Sequence, residues 1–197
     1  REVGLYAANL LNGEGNIIEI RGLEGSTPEQ ERHAGFIEVV NEHRNMHIIY
    51  DDFGNWFRKE AKESMQDILN HFDDIDLVFA HNDEMAIGVY EALKLKTKGK
   101  LPVILGIDAL SSPDGGIQKV IEGVIDATFM YPTGGEKAIQ IAYNILNHKA
   151  FEKETVLHTA VVDKTNARVI KLQTDQIHFH QQRIEQLNNV LDKNLVK

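Results

Sequence analysis

The chain has 197 residues, with 21 Lys+Arg against 30 Asp+Glu and no Cys. The net charge of -9 argues against a nucleic-acid partner, which needs clustered cations, and zero Cys excludes disulfide scaffolds, thiol nucleophiles and Cys-based zinc sites. Hydrophobic residues at 42% and charged residues at 26% fit a globular domain rather than disorder, and no apolar run approaches the roughly 18 residues of a membrane helix.

Arg1 opens directly onto an amphipathic pattern, without initiator Met or leader, and reads as a cut end. Val3, Tyr6, Ala7, Leu10 and Leu11 recur at helical spacing until Asn12-Gly13 stops the helix. Residues 16–20 read as a strand and 22–26 as a loop. In Thr27-Pro28-Glu29-Gln30, Thr27 is expected to cap a helix, Pro28 to fill its first turn and Gln30 to close a capping box. That helix runs to about His43, and residues 46–50 form the next strand. Past the Gly54-Asn55 turn, Ala61, Met65, Ile68, Leu69 and Phe72 mark a second amphipathic helix. Residues 77–80 are a short apolar strand. Asp83 is expected to cap the helix that buries Ala86, Ile87, Tyr90 and Leu93 or Leu95. Residues 103–107 are again continuously apolar. A short helix around Ile117, Val120 and Ile121 leads to a strand at 127–130. Ala138, Ile141, Ala142, Ile145 and Leu146 share one side of a further helix, and residues 156–162 close the alternating pattern.

Continuous apolar strands alternating with helices predict an α/β fold, a doubly wound parallel sheet covered on both faces. Ligands of such sheets bind beyond the carboxyl ends of the strands. The residues there are Gly25-Ser26-Thr27 with Arg32 one turn on, then Asp51, Asp52 and Trp56, then His81-Asn82-Asp83-Glu84, then Asp108 and Tyr131. Asn donates and accepts, Asp accepts hydroxyls, Arg donates a fork, and aromatic faces stack on C–H surface. Together they suit a small, neutral, polyhydroxylated ligand. No Gly-rich anion loop, nucleophile elbow, HExxH or P-loop occurs, and the acidic pairs Asp51-Asp52 and Asp73-Asp74 suit solvated loops. The expectation is a binding domain rather than an enzyme, with no cofactor and no metal. His178 and His180, two apart, point to different helix faces.

The segment V-F-A-H-N-D-E-M-A-I-G at 78–88 resembles the F-A-x-N-D-E-M-A-x-G motif of ribose-type periplasmic sugar-binding proteins and lac-repressor-type effector domains. In the same order, Glu31-Arg32-His33-Ala34-Gly35-Phe36 resembles the family's E-R-x-x-G-F. Trp56-Phe57-Arg58-Lys59-Glu60-Ala61 resembles W-D-R-E-K-A, and Leu105-Gly106-Ile107-Asp108 resembles V-G-F-D. Residues 126–132 resemble A-T-x-x-Q-x-P, and the likeness spans roughly residues 1–168. It implies a monosaccharide cleft between two lobes. Arg32, Asn82 and Asp108 would bond sugar hydroxyls, and Trp56 would stack on the ring. Tyr131, standing where the family often has Gln, would stack or donate its hydroxyl, and Asp83 would be structural.

The resemblance also divides the chain. Residues 1–132 would be the C-terminal lobe, and 133–172 a hinge-crossing helix and closing strand whose partner, the N-terminal lobe, is absent. Residues 173–197 would be an amphipathic signalling helix, with Ile177, Ile184 and Leu191 spaced by seven and His180, Leu187 and Asn194 beside them. Such a tail fits a homodimer in the periplasmic sensor region of a membrane histidine kinase, of the hybrid two-component kind. The membrane would then be reached only through segments outside this chain. The alternatives are a periplasmic solute-binding protein of a sugar transporter and the effector domain of a transcription regulator.

Overall fold

A computed structural model describes residues 1–195, with side chains through residue 188. A first helix α1 (Glu2–Leu10) precedes the strand β1 (Glu14–Arg21). Helix and strand then alternate: α2 (Thr27–Val40), β2 (Asn45–Phe53), α3 (Arg58–Ile68), β3 (Leu77–Ala80), α4 (Asp83–Lys96), β4 (Val103–Asp108), α5 (Gly116–Glu122) and β5 (Ala127–Met130). Helix α6 (Gly135–Leu146), strand β6 (Val161–Asp163) and helix α7 (Ala167–Leu195) follow. The strands form one sheet in the order β2-β1-β3-β4-β5-β6. The neighbours of β1 are therefore β2 and β3, so chain direction across the sheet reverses there, which makes the carboxyl ends beside β1 the switch point where such sheets bind ligands.

Two apolar layers hold the helices to the sheet. One side gathers Ile18, Ile20, Val78 and Ala80 with Met65 of α3 and Met85, Val89 and Leu93 of α4. The other gathers Ile17, Leu77, Phe79 and Leu105 with Val3 and Ala7 of α1 and Phe36 and Val39 of α2. Phe36 and Phe79 meet with ring centroids 4.5 Å apart. Fully burying side chains of this kind contributes about 1.5–3 kcal/mol each. Every residue of β3 is buried, which is why this central strand reads as an unbroken apolar run.

The sheet is parallel from β2 to β5, as expected, but β6 pairs antiparallel with β5, through only three residue pairs. The closing strand is thus shorter than residues 156–162. Two caps move by one residue. Ser26, not Thr27, is the N-cap of α2; its backbone is extended, and its hydroxyl donates to the Leu23 carbonyl instead of accepting from the helix. Asn82, not Asp83, caps α4, its Oδ1 accepting from the Met85 N–H at 2.9 Å. Asp51 and Asp52 lie within β2 rather than beyond it.

Helix α6 has no buried residue, and Ile139 and Leu146 are 73% and 79% exposed. The tail is helical from Ala167 onward, earlier than residue 173. Ile177, Ile184 and Leu187 are exposed along it, while the side chains of Leu191 and Asn194 lie outside the described residues. No helix among the described residues is long and apolar enough to cross a membrane.

Candidate functional site

Four strand ends deliver the site, and Arg32 from α2 sits at its centre. Its guanidinium carbon lies 5.3 Å from the Trp56 ring and 4.8 Å from the Tyr131 ring, so the cation is flanked by two aromatic faces. One nitrogen, Nη1, donates to the His81 carbonyl. Another, Nη2, stands 3.8 Å from Oδ1 of Asp108. Burial pulls the Arg32 guanidinium down from its usual value, with Asp108 opposing; burial also raises Asp108, with Arg32 opposing. The two groups are thus partly withdrawn from water, where each interaction between them and a ligand strengthens.

Backbone strain gathers here. Trp56, Asp108 and Ala109 have φ of 72°, 127° and 51°, in the left-handed region that side chains disfavour. Two side-chain bonds hold Trp56 and Ala109. Nδ2 of Asn82 donates to the Trp56 carbonyl at 3.2 Å, while its Oδ1 caps α4, so one side chain ties the aromatic wall to the helix start. Oδ2 of Asp83 accepts from the Ala109 N–H at 2.9 Å and so fixes the turn that carries Asp108. Asp83 is 5% exposed, and its Oδ1 has no hydrogen-bond partner among the described residues. Burial pushes the Asp83 carboxyl up to about 7.

All five residues predicted from the sequence, Arg32, Trp56, Asn82, Asp108 and Tyr131, are brought to one edge. A groove of about 510 Å³ adjoins it on the side of α1 and β5, lined by Val3, Arg32, Ile107, Tyr131 and Thr159; Trp56, Asn82 and Asp108 do not line that groove. Asn82 retains one N–H and one lone pair after its two bonds, and Asp108 retains its full acceptor capacity. Asp51, by contrast, pairs with Arg21 at 2.9 Å, and Asp52 accepts from Ser64 at 2.6 Å.

A group that sequence reasoning passed over lies beneath. Glu19 of β1 is fully buried, with Oε1 2.8 Å from His81 Nε2 and Oε2 2.8 Å from His33 Nδ1. Burial alone would raise Glu19; the two imidazole bonds outweigh it and hold the carboxyl low. The Glu19 bond raises His33, and burial lowers His81. The signal was a lone Glu inside the apolar run Ile17-Ile18-Glu19-Ile20.

A doubly wound α/β sheet whose strand ends carry an aspartate, an asparagine and two aromatic rings beside an arginine of α2 has the layout of a ligand-binding class of protein. Residues 1–150 match the family model described as a periplasmic binding protein domain, and the chain belongs to that family. The ribose import binding protein RbsB of Salmonella typhimurium is 33% identical over 146 residues, 73% of this chain and 47% of that protein. The xylitol-binding protein of Mycolicibacterium smegmatis is 32% identical over 117 residues, 59% of this chain and 32% of its own length. Among solved structures, the fructose-binding periplasmic domain of the hybrid two-component system BT1754 is 44% identical with a TM-score of 0.91. That match covers 95% of this chain and 63% of the other. A solute-binding protein from Bacillus halodurans C-125 with bound myo-inositol is 27% identical with a TM-score of 0.75, covering 86% and 58%. The chain spans about half the length of the curated relatives it matches, or less.

Proposed function

We propose that this chain is one lobe of a periplasmic monosaccharide-binding domain that acts as a sensor. The observation that carries the reading is the placement of Arg32, with its donors facing Asp108, between the rings of Trp56 and Tyr131. Aldose and ketose rings present hydroxyls at their edge and C–H surface on their faces, and this set matches both. Arg32, Asn82 and Asp108 would bond hydroxyls, and Trp56 and Tyr131 would flank the ring. D-fructose is the first ligand to test, because the 44% identical structure is described as fructose-binding. The reading is binding without chemistry.

A second lobe would close the cleft from the opposite side. The bare face of α6 supports this, since Ile139 and Leu146 have nothing packed over them among the described residues. A sugar bridging both lobes would favour the closed state by its higher affinity for it. The exposed apolar residues of α7 support a homodimer seam leading towards a membrane histidine kinase. The second reading, a transporter-linked solute-binding protein, is supported by the import and solute-binding relatives. The coding sequence after Lys197 separates the two: an apolar span favours the sensor, a stop codon the binding protein.

The test is calorimetric titration of the intact protein, including any segment preceding Arg1, with D-fructose, D-ribose and myo-inositol. Saturable one-to-one binding of a monosaccharide is expected. Absence of binding across a full monosaccharide panel overturns the reading.

A further inference from the structure

The Glu19–His81–His33 group touches neither Asp108 nor Tyr131, and the proposed site makes no use of its side chains. Its bonding pattern fixes a protonation state. The Gly22 N–H donates to His81 Nδ1 at 3.3 Å, so Nδ1 is an acceptor. The proton must then sit on Nε2, which donates to Glu19 at 2.8 Å. His81 is a neutral imidazole of one defined tautomer, buried between Phe79 and Trp56, with ring centroids 5.0 and 6.4 Å away.

Both ends of that imidazole lead to the candidate site. Gly22 is the first residue after β1, and the indole of Trp56 lies so close over it that any Cβ there would collide with the ring. The backbone of residue 81 is tied on its other side, its N–H donating to the Ile20 carbonyl at 2.9 Å and its carbonyl accepting from Arg32. A shift of His81 therefore moves the floor beneath Trp56 and the anchor of Arg32 together. Stability alone does not call for such a group: a buried carboxylate bound to two imidazoles is often no better for folding than apolar residues of the same volume. What it supplies is direction, because hydrogen bonds fix angles that dispersion contacts leave free.

We infer that His81, oriented by Glu19, is a positioning residue of the sugar site, setting the Gly22 turn under Trp56 and the carbonyl that aims Arg32. It acts through those groups and makes no contact with the ligand itself. The inference rests on the proposed sugar site, and its test includes readings that need no sugar.

Trp56 is the single tryptophan of these 197 residues, and subtracting the spectrum of a Trp56→Phe variant isolates its emission in the intact protein. Nitrogen-15 spectra of labelled histidine should show His81 neutral and protonated at Nε2 from about pH 6 to about pH 8. His81→Gln keeps a donor for Glu19 and loses the acceptor for Gly22; it should shift Trp56 emission and weaken D-fructose binding by the intact protein at least about tenfold. His81→Asn, which keeps an acceptor near Gly22, should retain more of the original emission. A charged or Nδ1-protonated His81 in the unaltered protein overturns the inference. So does a His81→Gln variant with unchanged emission and affinity, whatever its thermal midpoint. If the unaltered protein binds no monosaccharide, the sugar reading fails, while emission and tautomer still decide the positioning role. If His81→Gln does not fold, the tautomer of the unaltered protein decides it.

Discussion

Nη2 of Arg32 and Oδ1 of Asp108 stand 3.8 Å apart, close enough to attract and too far to share a hydrogen bond. Each therefore keeps directional capacity that a hydroxyl between or beside them can take up. Under the proposed reading, Arg32→Ala and Asp108→Ala in the intact protein should each weaken binding of its monosaccharide roughly 10- to 100-fold, the range of about 1.5–3 kcal/mol for bonds to charged groups. The double variant should lose less than the sum, because the two face one another. Calorimetry on the four proteins checks this; full additivity would show that the pair does not share a ligand.

Asn82 divides its work between folding and the site. Asn82→Asp keeps the Oδ1 acceptor that caps α4 and loses the Nδ2 donor to the Trp56 carbonyl. It should fold almost as stably as the original and bind sugar about tenfold more weakly or worse. Asn82→Ala loses the cap as well, at a cost of about 1 kcal/mol of stability. Thermal midpoints read beside affinities test the division, which fails if the Asp variant binds normally.

Asp83 should make stability depend on pH. Its folded value is about 7, against roughly 3.9 for an unperturbed Asp, so across that interval the folded state binds the proton more readily than the unfolded state. Stability from this group is therefore full below about pH 4 and is lost as pH rises towards about 7. Asp83→Asn keeps an acceptor for the Ala109 N–H and cannot ionise. Urea unfolding between about pH 4.5 and pH 7.5 should show a flatter profile in the variant. Identical profiles would mean that Asp83 is ionised throughout.

The tail prediction concerns Ile177 and Ile184. Both are exposed on α7 and lie seven residues apart, on one side of the helix. Under the proposed dimer seam, replacing both with Lys should make the intact protein sediment as a monomer rather than a dimer, with its monosaccharide affinity unchanged. Spin labels at Gln182 in the intact protein should report a distance that changes when the sugar saturates. A monomeric unaltered protein, or an unchanged distance, overturns the seam.

Most of the architecture was legible because its determinants are local. β3 and β4 are apolar runs between turn residues, and the helices bury residues at regular spacing. The sheet rule pointed to the residues beyond the strands and to Arg32 one turn into α2, and the motif resemblance narrowed that set to Arg32, Trp56, Asn82, Asp108 and Tyr131. What escaped depended on partners far away or on single-residue geometry. Glu19 meets His81 across 62 positions, and nothing in either segment alone announces that bond. Asn82 and Asp83 are both good cap residues, and only the backbone decides which one turns outward. The direction of β6 rests on the path of residues 147–160, which carry no regular pattern.

That short antiparallel strand has a mechanical consequence. β6 is bonded to β5, whose end carries Tyr131, and only three residues separate it from α7. Helix α7 has 29 residues and, at about 1.5 Å per residue, reaches roughly 43 Å. It is a lever arm with its fulcrum one strand away from the candidate site. A rotation of β6 by about 5° displaces the far end by roughly 4 Å at that length, so a motion too small to see at the sheet is large where two such helices would meet.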